Sequence, residues 1–177
     1  MLSLSRRART RSLAALAAFA ATATLSSAAL AEWRVGFEPK AEFLFGDDFL
    51  AGPGFSFDLG YSLDTYPVLI VPEVELSAAV FPMSNLVVGA RGTAGIRVGL
   101  TLEVEPSVYL HVGYGLLDEP DRSRRNLSNN FTIDTGVSLD KRIDRSITLG
   151  GSLGYEGFIG ESSEHGFTGS VHLGLWL

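Results

Sequence analysis

The chain has 177 residues, of which 14 are basic, 20 are acidic and none is cysteine. Its net charge of −6 at neutral pH opposes binding to the phosphate backbone of nucleic acids. The lack of cysteine excludes disulfide bonds and thiolate metal sites, and the length fits one domain.

The first 31 residues follow the three-part pattern of a secretory signal peptide. Four arginines up to Arg11 form a basic start, an apolar run spans residues 13–25, and Ala29-Leu30-Ala31 supplies the small residues of a cleavage site. The run is shorter than the ~20 residues that a membrane-spanning helix needs. We expect residues 1–31 to be removed and residues 32–177 to form the mature domain. Removal takes four of the 14 basic and none of the 20 acidic residues, which leaves 146 residues with a net charge of −10.

Beyond Ala31, apolar and polar residues alternate. In residues 33–46, WRVGFEPKAEFLFG, Trp33 and Phe37 stand at odd positions and Arg34 and Glu38 at even positions. Successive side chains of a strand point to opposite faces, so this segment has one apolar and one ionic face. Seven further segments repeat the pattern, and none has a helical period: 55–63, 66–81, 86–102, 107–116, 131–139, 146–157 and 167–177.

The segments between these strands are predicted to differ at the two ends of the sheet. Residues 47–54, 117–130 and 157–165 are expected to form longer loops at one end, together with the short connection 81–85. Tighter turns are expected at the other end. Longer loops on one rim and an even number of strands of about ten residues are typical of outer-membrane barrels.

The apolar face is predicted to point outward. The polar face combines opposite charges with glycines that are too small for a typical solvated surface but suit a narrow eight-stranded lumen: Gly60, Gly95, Gly99, Gly113, Gly115, Gly136 and Gly154. Aromatic residues at the strand ends of the apolar face predict the girdles of a membrane barrel: Trp33, Tyr66, Phe45, Phe55, Tyr114, Phe131 and Tyr155. The expected fold is all-β, an eight-stranded antiparallel up-and-down transmembrane β-barrel.

Charged residues on the inward face are predicted to form a structural network that plugs the lumen. An unpaired charge in a medium of low dielectric constant would be costly, and eight strands leave room for side chains and little else. The predicted network consists of Arg34, Glu38, Lys40, Glu42, Asp58, Glu73, Glu75, Arg91, Arg97, Asp134 and Glu156.

Most of residues 33–177 resembles, in pattern rather than in an invariant motif, the small outer-membrane β-barrel proteins of the OmpA/OmpX-like type. The resemblance is carried by FTIDTGVSLDKRIDRSITLGGSLGYEGF, FTGSVHLGLWL, YLHVGYGL and VPEVELSAAVF. It implies a barrel in a Gram-negative outer membrane with both termini in the periplasm. The implied partners are outer-membrane lipid, lipopolysaccharide and, during biogenesis, the barrel-insertion machinery, and we expect a monomer. The family's last strand commonly ends in Phe or Trp, whereas here Trp176 is penultimate and on the polar face.

The sequence predicts no catalytic residue, cofactor or metal site. His111 and His172 are expected inside the lumen, where a triad with Ser170 and Glu156 would face away from lipid. His165 is expected in a solvated surface loop, and the Asp47-Asp48 pair is expected to be solvated. No phosphate loop, GxSxG or HExxH motif occurs.

The function that these features favour is that of a non-enzymatic integral outer-membrane barrel with a plugged polar lumen. Its role would be envelope-structural or one of surface contact. Two alternatives stay open from the sequence. One is a lipid-modifying barrel enzyme, and the other is a soluble periplasmic β-barrel that binds a small apolar ligand.

Overall fold

The computed structural model describes residues 31–46, 49–82, 86–121, 124–160 and 163–177. The predicted signal peptide, apart from Ala31, and the Asp47-Asp48 pair lie outside these ranges. The described part consists of eight strands: β1 (Ala31–Phe45), β2 (Phe49–Thr65), β3 (Val68–Pro82), β4 (Leu86–Leu100), β5 (Val104–Asp121), β6 (Arg124–Arg142), β7 (Ile147–Gly160) and β8 (His165–Trp176).

The strands close into one barrel. Each strand pairs antiparallel with its neighbours in chain order, and β1 pairs with β8 to complete the ring. The predicted eight-stranded antiparallel up-and-down barrel is therefore confirmed. Closure satisfies the backbone hydrogen bonds that the edges of an open sheet would leave unpaired. Within the described residues, no helix is long and apolar enough to span a bilayer.

Pro39 marks the one interruption of the seam between β1 and β8 in the described residues. Pairing runs through Phe37 and Leu173, is missing for the next two positions, and resumes at Lys40 and Ser170 in the same register. Proline has no N–H to donate to a neighbouring strand, so the ladder breaks there without shifting.

The strands extend beyond their predicted ends at one rim. Residues 49–54 belong to β2, residues 117–121 and 124–130 to β5 and β6, and residues 157–160 to β7. The predicted long loops at 47–54, 117–130 and 157–165 are therefore wrong. Strand pairing is made by backbone groups, so it continues through the polar residues at the ends of β5 and β6, through the residues rich in glycine and proline at the start of β2 and through the glycine-containing end of β7, where no regular alternation signals it.

Two to four residues separate consecutive strands at both rims. The opposite rim is the end at which β1, β3, β5 and β7 end, and the terminal rim is the end that holds Ala31, Leu177 and the connections 66–67, 101–103 and 143–146. The rims differ instead in the height of the wall. β5 and β6 are the longest strands, with 18 and 19 residues, and they carry the barrel wall farthest at the opposite rim.

The two faces of the wall separate apolar from polar side chains as predicted. Leu76 and Leu153 on the outside are 69% and 68% exposed, whereas their chain neighbours Glu75 and Ser152 are buried inside. Aromatic rings contact one another on the outside at both ends of the barrel. Trp33 packs against Tyr61 near the terminal rim, Phe37 packs against Phe57 in the middle of the wall, and further contacts lie toward the opposite rim: Phe45–Phe49, Tyr114–Phe131 and Tyr155–Phe167.

Candidate functional site in the barrel lumen

An apolar layer fills the lumen at the opposite rim. Its side chains are all buried and pack against one another: Leu44, Leu50, Ala79, Phe81, Val87, Leu117 and Phe158. The sequence pattern predicted a polar lumen and did not reveal this layer, because alternation shows which face a residue occupies but not which residues meet across the barrel. The layer closes this end by burying apolar surface.

A charged layer occupies the middle of the lumen, and one half of it is centred on Glu73. The Arg97 Nε donates to both carboxylate oxygens of Glu73 at 3.2 Å, and Arg97 Nη2 lies 3.1 Å from Oε1. Arg34 Nη1 lies 3.7 Å from Oε2 of the same carboxylate. Arg97 Nη1 also donates to Ser138 Oγ at 2.8 Å. Glu73 is thus held as a carboxylate by two guanidinium groups.

The other half is built on Lys40 and Arg91. Lys40 Nζ lies 3.2 Å from Glu75 Oε1 and 3.5 Å from Glu42 Oε1. Arg91 Nη2 lies 3.4 Å from Glu42 Oε1, and its Nη1 forms an ion pair with Glu156. These groups come from β1, β3, β4 and β7. The ion pairs therefore cross the lumen and tie distant parts of the wall together.

The remaining three residues of the predicted network form no ion pair with another described residue. Glu38 accepts hydrogen bonds from the hydroxyls of Ser152, at 2.9 Å, and Ser170. Asp58 and Asp134 are buried, and their Oδ1 atoms have no hydrogen-bond partner in the described part of the chain. The structure thus brings eight of the eleven residues into ion pairs, leaves Glu38 to serine hydroxyls, and leaves the two aspartates with unpartnered oxygens.

Near the terminal rim the lumen is closed by Trp176. Its Nε1 donates to Thr148 Oγ1 at 2.6 Å, and its ring lies 4.5 Å from the Arg142 guanidinium carbon. This is cation–π geometry. In the family that the sequence resembles, the last strand commonly ends in Phe or Trp, whereas here Trp176 is penultimate and points inward. This inward position has a structural role, because the indole seals this end of the lumen.

The histidines contact carboxylates rather than a serine. His111 Nε2 lies 2.7 Å from Glu73 Oε1, and His172 Nε2 contacts Asp140. The Ser170 hydroxyl pairs with Ser152 and Glu38 instead. The structure therefore does not assemble a triad of Ser170, Glu156 and either His111 or His172.

His165 was expected in a surface loop, and this was wrong. It is the first residue of β8 and is exposed on the outer face, with the rings of Phe45 and Tyr155 each 6.4 Å away. The strand starts earlier than the sequence indicated because backbone pairing to β1 already holds at this position.

The cavities beside the two seals are small. Two cavities inside the barrel measure about 10 Å³ each; one lies beside Trp176 and Arg97, the other beside Phe81 and Arg91. Such a volume is at the lower limit for a single water molecule. Each of these two cavities therefore has room for about one water molecule at most.

No protein-family model and no curated protein matches the chain. Solved structures do match. Neisserial surface protein A has a TM-score of 0.64 at 10% identity, over 82% of this chain and 96% of that one. Ail, the attachment invasion locus protein of Yersinia pestis, has a TM-score of 0.55 at 12% identity, over 83% and 97%. The N-terminal β-barrel domain of OprF from Pseudomonas aeruginosa has 0.52 at 16% identity, over 81% and 97%.

At these identities, the likenesses establish the fold. They agree with two features of the structure itself, namely the closed ring of eight antiparallel strands and the continuous apolar outer surface. A closed barrel with such a surface is a form in which β-strands can cross a bilayer. The chain has the fold of the small eight-stranded β-barrels of Gram-negative outer membranes, and its apolar outer surface fits that location.

Proposed function

We propose that the protein is a non-enzymatic integral barrel of the outer membrane that contributes to envelope structure or presents its hairpin ends for surface contacts. The observation that carries this proposal is the filled lumen. Among the described residues, buried side chains close it near both ends, ion pairs cross its middle, and the Ser170 hydroxyl contacts Ser152 and Glu38 rather than a histidine. Outer-membrane lipid, lipopolysaccharide and, during assembly, the insertion machinery are its proposed partners. In this proposal the protein acts as a monomer, exported by the signal peptide of residues 1–31.

The filled lumen predicts that the barrel does not conduct. Two apolar or aromatic seals and a layer of paired charges lie in series along the axis. We expect the purified protein, reconstituted in planar bilayers at neutral pH, to show no steady current. A porin inserted in the same bilayers serves as the positive control. A stable porin-like conductance would contradict the proposal.

The proposed orientation places the opposite rim at the cell surface. Ala31 and Leu177 both lie at the terminal rim, and an exported chain with periplasmic ends would direct the β5–β6 hairpin outward. Because β5 and β6 are the longest strands, this hairpin would reach farthest from the membrane. The name of Ail refers to attachment, which makes surface contact a reasonable role to test for this chain.

Single cysteines test the orientation cleanly, because the native chain has none. We expect Asp121→Cys, at the end of β5, to react with a membrane-impermeant maleimide on intact cells. Asp144→Cys, in the exposed connection between β6 and β7, is the matched control and should react only after lysis. The reverse labelling pattern would show that the topology is inverted.

The alternatives from the sequence are separated by fractionation. A soluble periplasmic barrel would leave the cell in an osmotic-shock extract, whereas the proposed barrel should require detergent and migrate differently on gels before and after heating. A lipid-modifying enzyme would change the acyl-chain pattern of outer-membrane lipids when overproduced. An unchanged lipid mass spectrum is the result expected here.

A further inference from the structure

Acidic side chains outnumber basic ones in the barrel interior. Among the described residues, four basic side chains are buried: Arg34, Lys40, Arg91 and Arg97. Nine acidic side chains are buried: Glu42, Asp58, Glu73, Glu75, Glu105, Asp134, Asp140, Glu156 and Glu164. Buried charge of one sign is costly unless protons or cations compensate it. The buried histidines His111 and His172 can add at most two positive charges to the four basic side chains, so the nine acids still outnumber them and the interior favours an additional cation.

Three buried groups from three strands converge in the charged layer. Glu75 on β3, His111 on β5 and Asp134 on β6 each place one potential ligand atom within 4.8 Å of the other two. His111 and Asp134 are direct partners in the β5–β6 ladder. On the other side, His111 is opposite Gly95 of β4, where a Cβ would overlap the imidazole ring. Because Gly95 has no side chain, the His111 imidazole has the space to lie between Glu75 of β3 and Asp134 of β6.

The hydrogen bonds of His111 leave one ring nitrogen available. Its Nε2 lies 2.7 Å from the Glu73 carboxylate, which is itself held by Arg97, so Nε2 carries the proton and donates. In the neutral ring, Nδ1 then carries a lone pair. Nδ1 is buried without a hydrogen-bond partner in the described part of the chain and lies 3.8 Å from Glu75 Oε2. Asp134 Oδ1 is likewise buried and without a partner there.

We propose that Glu75, His111 and Asp134 bind a divalent first-row transition-metal ion, with Zn²⁺ as the representative, inside the barrel. One imidazole nitrogen and two carboxylate oxygens form a donor set suited to such an ion, whereas Mg²⁺ and Ca²⁺ prefer oxygen ligands alone. Ligands at 2.0–2.2 Å from a tetrahedral ion lie about 3.4 Å apart, so small side-chain rotations would close the observed cluster. The Glu73 carboxylate behind Nε2 is the partner that metal-bound histidines ordinarily have.

The neighbouring cations do not block this site. Lys40 Nζ is bound to Glu75 Oε1, which leaves Oε2 on the side of His111. Arg91 is engaged by Glu42 and Glu156. A fourth ligand position would be left for water. The inference rests on the lumen geometry and not on the structural or surface role proposed above.

The test measures metal in the folded barrel. The full mature chain is refolded in detergent in metal-free buffer, with and without Zn²⁺, passed over a sizing column and assayed by elemental mass spectrometry. Heat-modifiable gel mobility identifies the folded fraction. We expect one zinc ion per folded barrel, retained in the presence of excess Mg²⁺. Wild-type barrel that folds but holds only substoichiometric zinc would overturn the proposal.

Matched variants separate this site from other buried groups. His111→Gln and Asp134→Asn should each weaken zinc binding roughly tenfold or more. His172→Gln and Asp58→Asn change an equally buried histidine and aspartate outside the cluster and should keep full occupancy. Unchanged zinc affinity in the two cluster variants would refute the assignment.

If a cluster variant fails to fold, the visible absorption spectrum of Co²⁺ added to the wild-type barrel provides the test instead. Co²⁺ bound by one nitrogen and two oxygens of the protein and one solvent ligand in a tetrahedral site absorbs visible light far more strongly, and at longer wavelength, than octahedral aqueous Co²⁺ does. That spectrum, abolished by competing Zn²⁺, is the expected result. A spectrum identical to that of free Co²⁺ would overturn the proposal.

Discussion

Leu153→Arg probes the central physical claim, which is that the apolar face of the barrel meets lipid. Leu153 lies on the outer face of β7 and is 68% exposed. It is six residues from Ile147 at the terminal rim. At about 3.3 Å per residue and a strand tilt of about 40°, it lies roughly 15 Å along the barrel axis from that rim. This places it near the middle of an apolar band about 25 Å tall.

The expected cost follows from that depth. Arginine on the lipid face at the bilayer midplane destabilises a barrel by about 2–4 kcal/mol, and the cost falls to about 0–1 kcal/mol near the interfaces. Leu86 is the matched control, because it is a similarly exposed outward leucine but is the first residue of β4 at the opposite rim. Leu153→Arg should therefore lower the free energy of unfolding by at least about 1 kcal/mol more than Leu86→Arg does.

The free energy of unfolding is measured by guanidinium titration of the protein in lipid vesicles. Fluorescence of the two tryptophans and gel mobility report the folded fraction; Trp33 lies on the outer face and Trp176 in the lumen. Refolding from guanidinium establishes reversibility. Equal costs for the arginines at positions 153 and 86 would mean that the outer face meets water, which would refute the membrane interpretation.

Three further predictions concern the lumen and the register. Arg97→Met removes the nearer of the two guanidinium groups that hold the buried Glu73 carboxylate and should cost up to about 3–5 kcal/mol in detergent unfolding; an unchanged midpoint would contradict the ion-pair assignment. Phe81→Ala opens a cavity in the apolar layer and should cost about 3–5 kcal/mol, clearly more than Phe57→Ala on the outer face, where lipid can refill the space; equal costs would argue against a packed layer. A fluorophore on a cysteine at Leu153 should be quenched by brominated acyl chains and one at Ser152 should not, and the opposite pattern would mean that the register is shifted by one residue.

Local alternation in the sequence was sufficient to predict the strand number and the side on which the residues of the eight alternating segments lie. In an extended chain, the direction of a side chain depends only on its position in the strand, so Glu75 and Leu76 had to point to opposite faces. The same property placed Arg91 and Arg97 inside. Composition then indicated which face was outward, because glycines and opposite charges suit a narrow lumen. The resemblance to OmpA/OmpX-like barrels pointed to the same fold, and the signal peptide stays a prediction.

Contacts across the lumen were decided only by the tertiary structure. Glu73 and His111 are 38 residues apart, and Lys40 and Glu75 are 35 apart. Whether such groups meet depends on the register of every strand and on the closure of the ring, which are collective properties that no local pattern encodes. The same is true of the apolar layer around Phe81 and of the cluster around His111. The sequence by itself determined which side chains enter the lumen, and the closed barrel determined which of them are near enough to bind one another.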